Sequence, residues 1–468
     1  MLGDTIAAVS TPRGKGGVAM IRISGPDAAA IANRIFIPAS GRPFAERTPR
    51  TAVYGTILAP DHSAPDGWNR VDDGIAVLYK APASFTGETV AEICCHGGIL
   101  LTETVLAGVF ALGARQAEAG EFTRRGFVNG KMGLDAAEAL ANLLEATSRE
   151  QIKLSHAGMT GTLSRAIKKQ YDRLCLVLSS VYAAIDYPDE DLKELGPGEI
   201  GEILDSTESE IRDLVSTYGT GHAIAEGIPT VICGAVNAGK SSLYNRLVGR
   251  DAAIVTDIAG TTRDLLTETV TAGRVTLRLT DTAGLRSTDD PVEKIGVARA
   301  LEQVSAAELI LALFDGSRPA GPEDKKLAAD LSAEKASRPV AIIPVITKSD
   351  LPGVFDISLV ESLGQPVRLS ALTGEGLSQL NDAVDSLFID SKLNTSEDAI
   401  VANARQYGAM LRSLQAFSEA RQALADGLPL DIVGESVEQI MECLCEVDGR
   451  KVSEDIVSSI FSHFCVGK

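Results

Sequence analysis

The order of apolar and polar residues gives the first 122 residues a mixed character. Short apolar runs at 18–23, 75–78 and 90–94 predict β-strands, because each is followed by turn-forming or polar residues. A continuous apolar segment near 100–112 predicts one helix. Residues 60–73 are rich in Pro, Asp and Gly and predict a loop. The pattern predicts an α+β domain at the start of the chain.

The pattern changes twice more along the chain. Residues 123–220 are helical in character, with apolar spacing of three and four residues at 134–144. A strand–loop–helix alternation runs from Ile228 to about Phe388, and helical spacing returns after Ser391. An α/β domain inserted into a helical domain explains this order, and two separate helical domains are the alternative that the sequence leaves open. The predicted domains are 1–122, 123–221, 222–389 and 390–468.

Composition and charge narrow the function classes. The 468 residues are 45% hydrophobic and 23% charged, which is typical of a folded globular protein. The formal net charge of −19 argues against a protein that coats nucleic acid, or docks on an anionic membrane, through bulk electrostatics. Residues 186–213 carry 2 basic and 11 acidic groups, which predicts a solvated acidic helix or loop, whereas residues 1–60 carry 7 basic and 3 acidic groups.

The chain start and the cysteines favour a cytoplasmic protein. The amino terminus lacks a basic region followed by an apolar one, so no signal peptide is expected. Every apolar run is shorter than the roughly 18 residues of a membrane span, so none is expected. The seven cysteines are odd in number and form no CxxC pair, which argues against a disulfide framework or a zinc site.

A phosphate-binding motif opens the α/β segment. The apolar run 230–233 is followed by GAVNAGKS at 234–241, which matches GxxxxGK[ST] in full and precedes a helical segment at 242–248. Its glycines let successive backbone N–H groups point at phosphate oxygens at a helix N-terminus. Lys240 is expected to bridge the β- and γ-phosphates, and the Ser241 hydroxyl is expected to bind Mg²⁺.

Three downstream motifs select GTP over ATP. Residues 281–284 read DTAG after a predicted strand, so Asp281 is expected near Mg²⁺ and the Gly284 N–H near the γ-phosphate. In the TKSD motif, Asp350 is expected to accept hydrogen bonds from guanine N1–H and N2–H₂, which adenine does not offer in that arrangement. Residues 370–372 fit the last loop that contacts the base. Together these motifs predict a GTPase.

Two departures from common GTPase patterns bear on affinity and catalysis. Thr347 stands where Asn is usual in the guanine motif, so we expect guanine specificity to survive with weaker affinity. Leu285 follows DTAG where Ras-like enzymes carry a water-orienting Gln, so hydrolysis needs another device. The segment 257–264 offers Thr262 to Mg²⁺ and backbone carbonyls to a monovalent cation such as K⁺. Asn237 is either a further ligand of that cation or a turn residue.

These motifs, with others, resemble one family over essentially the whole chain, from Asp4 to Lys468. The segments DIAGTTRD and DTAGLR, the Asn in the phosphate loop and the ending FCVGK resemble the MnmE (TrmE) tRNA-modification GTPases. So do DTIAA at 4–8, GGVAMIRISG at 16–25, SFTGE at 84–88, HGG at 96–98 and GEFT at 120–123. Many GTPases share the GTPase motifs, whereas the amino-terminal set and the FCxGK ending are far more specific.

The resemblance implies a fold and a reaction. The fold is multidomain, α/β plus all-α: an α+β folate-binding and dimerising domain, then a helical domain with a P-loop (Ras-like) GTPase domain inserted in it. The implied assembly is a homodimer whose GTPase domains close on GTP binding, with K⁺-dependent hydrolysis. It joins an FAD- and NADH-dependent partner, MnmG (GidA), in a heterotetramer-type complex. The complex adds an aminomethyl or carboxymethylaminomethyl group to C5 of the wobble uridine (U34) in certain tRNAs. A tetrahydrofolate derivative, in the 5-formyl or 5,10-methylene form, is the one-carbon donor.

The resemblance also implies roles for individual residues. Glu293 is similar to the residue that orients the attacking water, with a solvated glutamate at a helix start as the alternative. Cys465 matches the family's terminal cysteine, which as a thiolate assists one-carbon transfer, and a buried structural cysteine is the equally open alternative. Basic groups pair with the folate glutamate tail and a carboxylate accepts pterin N–H groups. The residues that resemble the folate contacts are Arg22, Glu92, Lys131 and Lys468.

The nucleotide site then has a full set of candidates. The implied K⁺ ligands are Asn237, Thr256, Ile258 and Thr261, and the Mg²⁺ ligands are Ser241 and Thr262. The predicted GTP-binding residues are Asn237, Ala238, Gly239, Lys240, Ser241, Ser242, Thr256, Asp257, Ile258, Ala259, Gly260, Thr261, Thr262, Asp281, Thr282, Ala283, Gly284, Thr347, Lys348, Asp350, Ser370, Ala371 and Leu372. A regulatory GTPase that binds RNA or ribosomes without modification chemistry is the alternative function that the sequence leaves open.

Overall fold

The computed structural model describes residues 3–61, 63–65, 67–186, 195–249, 267–280, 307–462 and 464–467. They form two compact units. The first unit contains residues up to 141 together with those from 448 onward, and the second contains residues 142–447. The last segment therefore groups with the start of the chain, whereas the sequence grouped it with the rest of 390–468. The predicted boundaries at 122, 221 and 389 stay predictions.

Within these residues the order of helices and strands follows the sequence patterns: a mixed α+β start, a run of helices, an α/β segment and helices to the end. The strands are β1 Ile6–Val9, β2 Gly16–Ser24, β3 Phe36–Pro38, β4 Val53–Pro60, β5 Trp68–Tyr79, β6 Val90–Gly97, β7 Arg115–Gln116, β8 Ile228–Gly234, β9 Thr267–Ala272, β10 Val275–Thr280, β11 Leu309–Asp315, β12 Ala341–Thr347 and β13 Val367–Arg368. The α-helices are α1 Ala28–Ile35, α2 Ile99–Ala111, α3 Glu121–Val128, α4 Leu134–Glu145, α5 Arg149–Met159, α6 Thr162–Asp186, α7 Pro197–Ser216, α8 Tyr218–Ala225, α9 Lys240–Val248, α10 Pro322–Ser337, α11 Leu377–Phe388, α12 Ala404–Ala425, α13 Leu430–Asp448 and α14 Glu454–Ser462.

A seven-stranded sheet organises the first unit. Its strands lie in the order β3-β4-β5-β6-β2-β1-β7, and only the β1–β7 pair is parallel. Helices α1 and α2 pack on one face, against buried residues such as Ile21 and Ile93. Side chains alternate along β2, so Arg22 projects from the face opposite to Ile21. The predicted strands at 18–23, 75–78 and 90–94 and the helix near 100–112 are confirmed.

The loop predicted at 60–73 is wrong in its second half. β5 begins at Trp68, whose backbone pairs with Pro60 on β4. The polar residues that suggested a loop include Asp73, which is exposed and accepts a hydrogen bond from Thr56 Oγ1 at 2.7 Å across the two strands. Polar composition here marks the solvent-facing side of an antiparallel pair, not the absence of a strand.

The end of the chain completes the first unit. Leu134 on α4 is buried together with Val457, Phe461 and Phe464 from the last helix and the tail. Gly120, just before α3, has a φ of +65°, and a Cβ atom there would lie 2.5 Å from the Phe461 carbonyl oxygen. Only glycine permits this backbone conformation at such a close approach. The GEFT motif therefore begins with a glycine because the last helix packs directly on it.

A buried arginine joins segments of the first unit that are distant in sequence. The Arg125 side chain is 1% exposed and donates to Glu121 Oε1 at 2.9 Å, to Asp4 Oδ1 at 2.7 Å and to both Glu88 carboxylate oxygens at 3.1 Å. Arg115 donates to both Glu121 carboxylate oxygens, at 2.8 and 2.5 Å. Burial raises the pKa of Glu121, but the hydrogen bonds from the two arginines outweigh burial and hold it below its usual value.

Long helices form one core of the second unit. α6, α7, α12 and α13 share an apolar core that includes Leu204 and Phe417. Most acidic residues of α7 are exposed, as predicted for the acidic segment. Glu208 is the exception: its buried carboxylate pairs with Arg212 at 2.5 Å and with Arg421 at 3.0 Å. Among the described helices, none has both the length and the apolar character needed to cross a bilayer.

A six-stranded sheet forms the other core of the second unit. Its order is β13-β12-β11-β8-β10-β9, and only the β9–β10 pair is antiparallel. Apolar clusters cover both faces, with α9 and α11 on one side and α10 on the other. The neighbouring strands β11 and β12 are buried almost throughout, as parallel strands covered on both faces must be. The predicted α/β alternation between 228 and 388 is confirmed.

Replacing Arg125 by Met is expected to destabilise the first unit by about 3–5 kcal/mol, because three carboxylates lose their buried partner. Folding lowers the pKa of Glu121 and of Asp4, so their contribution is present at neutral pH and is lost as the pH falls. The difference between wild type and variant should therefore shrink below about pH 4. Urea denaturation followed through the fluorescence of Trp68, the one tryptophan of the chain, reports on this unit.

Arg124→Met is the matched control for this experiment. The adjacent Arg124 lies on the same helix and pairs with Glu454, whose side chain is mostly exposed. Surface pairs of this kind contribute about 0–1 kcal/mol, so this variant is expected to unfold close to wild type. Equal losses from the two substitutions would contradict the role assigned to the buried cluster.

Candidate nucleotide and folate sites

Parallel pairing brings the predicted nucleotide motifs to one edge of the second sheet. Gly234 on β8 lies opposite Leu313 on β11, and Asp315 on β11 lies opposite Thr347 on β12. The carboxyl ends of these strands are the usual place for a ligand in an open α/β sheet. A Cβ atom on Gly234 would lie 2.7 Å from the Leu313 carbonyl oxygen, so the first position of the phosphate motif has to be glycine.

The phosphate loop connects β8 to α9. α9 begins at Lys240, directly after Gly239, whose φ of +93° requires glycine. The first N–H groups of a helix have no partner within the helix, and they bind anions. Lys240 Nζ donates to the Gly234 and Ala235 carbonyl oxygens, both at 2.9 Å, which folds the side chain back over the loop. The predicted Mg²⁺ ligand Ser241 is exposed beside it.

Other phosphate-loop residues differ in exposure. Asn237 has a φ of +62°, a left-handed conformation that Asn tolerates better than most residues, and this supports its interpretation as a turn residue. Its side chain is exposed, so its role as a cation ligand stays a prediction. Ser242 is also exposed, whereas Ala238 is fully buried beneath the loop.

Thr347 ties the guanine motif to the phosphate loop. It is 3% exposed, and its hydroxyl lies 2.8 Å from the Ala238 carbonyl oxygen and 3.1 Å from the Phe314 carbonyl oxygen. A hydroxyl has one proton, so it donates to one of these carbonyls at a time, whereas the Asn amide usual here has two N–H groups. Thr347 therefore keeps a link between the two loops and has half the donor capacity of Asn.

Sequence reasoning missed a carboxylate beneath the guanine motif. Lys348 Nζ lies 2.6 Å from Oδ2 of Asp315, whose side chain is 5% exposed. Burial raises the pKa of Asp315, but hydrogen bonds from Lys348 and Ser317 outweigh burial and hold the pKa below its usual value. The available signal was its position: it is the one charged residue of the otherwise apolar strand β11. Asp350, the predicted guanine acceptor, is exposed.

The third base-contact loop follows β13. Ser370 is buried, its hydroxyl accepts from Thr373 N at 3.2 Å, and its carbonyl accepts from Gly374 N at 2.8 Å. Ala371 is half-buried and Leu372 is 80% exposed. The serine therefore shapes the turn, while the next two residues form its outer surface.

Several predicted site residues lie outside the described residues. Their roles in Mg²⁺ and K⁺ binding, hydrolysis and folate binding stay predictions. They are Thr256, Asp257, Ile258, Ala259, Gly260, Thr261, Thr262, Asp281, Thr282, Ala283, Gly284, Glu293 and Lys468.

In the first unit, two of the predicted folate contacts are direct partners. Arg22 on β2 lies opposite Glu92 on β6, and its Nε donates to Glu92 Oε1 at 2.9 Å. The Arg22 guanidinium lies 5.6 Å from the ring centroids of both Phe85 and Phe122. Burial, followed by the charge of Glu92, raises the pKa of the nearby Tyr79 hydroxyl. Cation, carboxylate and aromatic faces thus meet on the sheet face opposite α1 and α2.

The tail of the chain borders this cluster. The Gly467 carbonyl oxygen accepts from Ser10 Oγ at 2.8 Å and lies 3.5 Å from Arg22 Nη1. Cys465 is exposed, and its carbonyl oxygen accepts from the backbone N–H of Gly120 at 3.4 Å. The exposed thiol does not fit the alternative of a buried structural cysteine. Lys131 Nζ donates to the Pro82 carbonyl oxygen at 3.0 Å.

The six-stranded sheet and the loops that follow its strands define the class of protein. A mostly parallel sheet with a phosphate loop after the central strand β8, and a guanine motif after β12, two positions away, is a P-loop GTPase domain. It accompanies a bundle of long helices and an α+β unit in the same chain.

Comparisons with known proteins identify the family. A profile described as "GTP-binding protein TrmE N-terminus" matches residues 5–131, and one described as "MnmE helical domain" matches residues 134–465. Three relatives are called "tRNA modification GTPase MnmE". Those of Clostridioides difficile, Acetivibrio thermocellus and Symbiobacterium thermophilum are 36%, 36% and 40% identical to this chain, over 99–100% of both sequences. The chain belongs to the MnmE (TrmE) family.

Proposed function

We propose that this chain is the GTP-hydrolysing component of a cytoplasmic complex that modifies tRNA. The product is an aminomethyl or carboxymethylaminomethyl group on C5 of the wobble uridine (U34) in certain tRNAs. The observation that carries the proposal is similarity over the whole chain to proteins named for tRNA modification, not only over the GTPase motifs. A purely regulatory GTPase would leave the Arg22–Glu92 cluster and the docked tail without a task.

The charge distribution shapes how tRNA is bound. A net charge of −19 opposes broad contact with phosphates, so contact is confined to local basic segments. Residues 1–60 and 121–185 carry more basic than acidic groups, whereas 186–213 and 390–468 are acidic. The flavin- and NADH-dependent MnmG (GidA) partner supplies much of the affinity for tRNA, and this chain acts with it as a homodimer.

Deleting the gene for this chain is expected to remove the C5 modification, and mass spectrometry of nucleosides from total tRNA measures it. Re-expression of wild type restores the modified nucleoside, whereas Lys240→Ala does not, because the phosphate-loop cation is lost. Lys326→Ala, at an exposed position on α10, is the matched control and restores it. If the level of C5-modified wobble uridine is the same with and without the gene, the proposal is wrong.

The Arg22–Glu92 cluster is the proposed folate site. A carboxylate held in place by an arginine suits the N–H groups of a pterin ring, and the neighbouring aromatic rings suit its flat faces. Lys131 and Lys468 are proposed to pair with the glutamate tail. Cys465 is exposed near the same cluster, where a thiolate would assist transfer of the one-carbon unit.

Glu92→Gln is expected to weaken binding of 5-formyltetrahydrofolate by about tenfold, because the charge-assisted hydrogen bonds to the pterin lose their anion. Isothermal titration with the purified full chain measures the dissociation constant. Glu46→Gln is the matched control, since it removes a carboxylate from a surface pair with Arg42 in the same unit. Unchanged folate affinity in the Glu92 variant would place the pterin elsewhere.

Hydrolysis is proposed to depend on residues around the phosphates. Ser241 and Thr262 would hold Mg²⁺, and Asn237, Thr256, Ile258 and Thr261 would hold a K⁺ whose charge takes the place of an arginine finger. Glu293 would orient the attacking water. The left-handed backbone of Asn237 dictates how its side chain is tested, because Ala strains a φ of +62° and Gly does not.

Asn237→Gly is therefore the informative substitution for K⁺. Wild type is expected to hydrolyse GTP faster in K⁺ than in Na⁺, and the variant is expected to lose this difference while it keeps its affinity for GTP. Steady-state rates in the two salts and competition binding of GTP measure both quantities. If the glycine variant retains the K⁺ stimulation, Asn237 is a turn residue and no cation ligand.

A further inference from the structure

The carboxylate of Asp315 lies beside the guanine motif and contacts its lysine. It closes strand β11 directly opposite Thr347, and it is almost completely buried. Its Oδ1 accepts from Ser317 N at 3.0 Å and from Ser317 Oγ at 2.6 Å, which leaves Oδ2 to the Lys348 ammonium at 2.6 Å. Arg318 Nε lies farther from it, at 3.7 Å. The carboxylate is thus fixed on one side and holds Lys348 on the other.

Lys348 needs such an anchor because its backbone is strained. Its φ is +57°, a left-handed conformation that is unfavourable for a residue with a Cβ and persists where the surroundings enforce it. A main-chain hydrogen bond also restrains the residue before Lys348. Gly316, directly after β11, donates its N–H to the Thr347 carbonyl oxygen at 3.0 Å. A Cβ atom on Gly316 would lie 2.7 Å from that oxygen, so the two segments are in closest contact.

The extra tie matters in this chain because Thr347 replaces Asn. The threonine hydroxyl gives its single proton to one carbonyl, so this side chain donates only one hydrogen bond at a time from the guanine motif to its support. We propose that the Asp315–Lys348 pair supplies the second side-chain restraint, which makes Asp315 a positioning residue for guanine recognition. It acts through the 347–350 loop on Asp350, and the inference rests on the proposed role of Asp350 as the guanine acceptor.

Guanine recognition demands accurate placement. The Asp350 carboxylate must meet both N1–H and N2–H₂ of the base, and a displacement of about 1 Å is enough to lose much of such a paired contact. Inosine lacks the 2-amino group, so ITP forms only one of the two hydrogen bonds. The preference for GTP over ITP therefore measures how well the loop holds Asp350, separately from binding of the triphosphate.

The test compares the dissociation constants of GTP and ITP for the purified full chain. Asp315→Asn preserves shape and the acceptor for Ser317 but removes the charge that holds Lys348. We expect about tenfold weaker GTP binding and about twofold weaker ITP binding, so the preference for GTP falls about fivefold. Lys348→Met removes the other partner of the pair and is expected to lower the preference equally, and the double variant is expected to be no worse than either single one.

Two controls separate the outcomes. Glu208→Gln removes an equally buried, arginine-paired carboxylate from the helical core of the same unit and is expected to leave the GTP preference unchanged. Asp350→Asn tests the acceptor itself, and an unchanged preference there would overturn the assignment of the guanine site whatever the Asp315 variant does. If Asp315→Asn lowers the unfolding temperature but leaves the preference unchanged, Asp315 is only structural and the proposal is wrong. If that variant does not fold, Lys348→Met decides, and an unchanged preference overturns the proposal.

Discussion

Main-chain hydrogen bonding between β8, β11 and β12 is the constraint on which the nucleotide site depends. Parallel pairing in a fixed register puts the carboxyl ends of these strands at one edge, where Gly234, Asp315 and Thr347 become neighbours. Residues more than 100 positions apart in sequence thereby meet within hydrogen-bond distance, as Thr347 and Ala238 do. The apolar residues of the strands pack into the clusters on both faces of the sheet. This packing fixes the strands, and so it also fixes the polar residues that follow them.

In the first unit, buried ion pairs hold distant segments together, as strand pairing does in the second unit. Arg125 is one of its most buried side chains and collects carboxylates from before β1, from before β6 and from the start of α3. A buried cation of this kind is tolerated only while all its partners stay in place, so it specifies the arrangement of the segments around it. Arg22 and Glu92 form another ion pair between distant segments, on the face of the sheet, and both side chains stay partly exposed.

Much of this arrangement followed from sequence, because it rests on local patterns. The apolar run at 230–233 located β8, and the glycine spacing located the phosphate loop, since both patterns lie within a few consecutive residues. The Asp315–Lys348 and Arg125–Glu88 contacts were out of reach, because each joins residues that only the folded chain brings together. The first residues of β5 were predicted as a loop for a related reason. They are polar because they face water, and their strand structure depends on pairing with β4, which only the folded chain provides.

Because residues from 448 onward belong to the amino-terminal unit, that unit can be completed only at the end of translation. Leu134 and Gly120 leave the ribosome early, yet their partner Phe461 follows only after the entire second unit has been translated. At about 5–20 residues per second, this interval lasts on the order of 15 to 60 seconds. During that time the apolar surface of α4 that packs against Phe461 has no partner from the last helix. A chain that ended before Phe461 would lack the residues that complete this apolar cluster of the first unit.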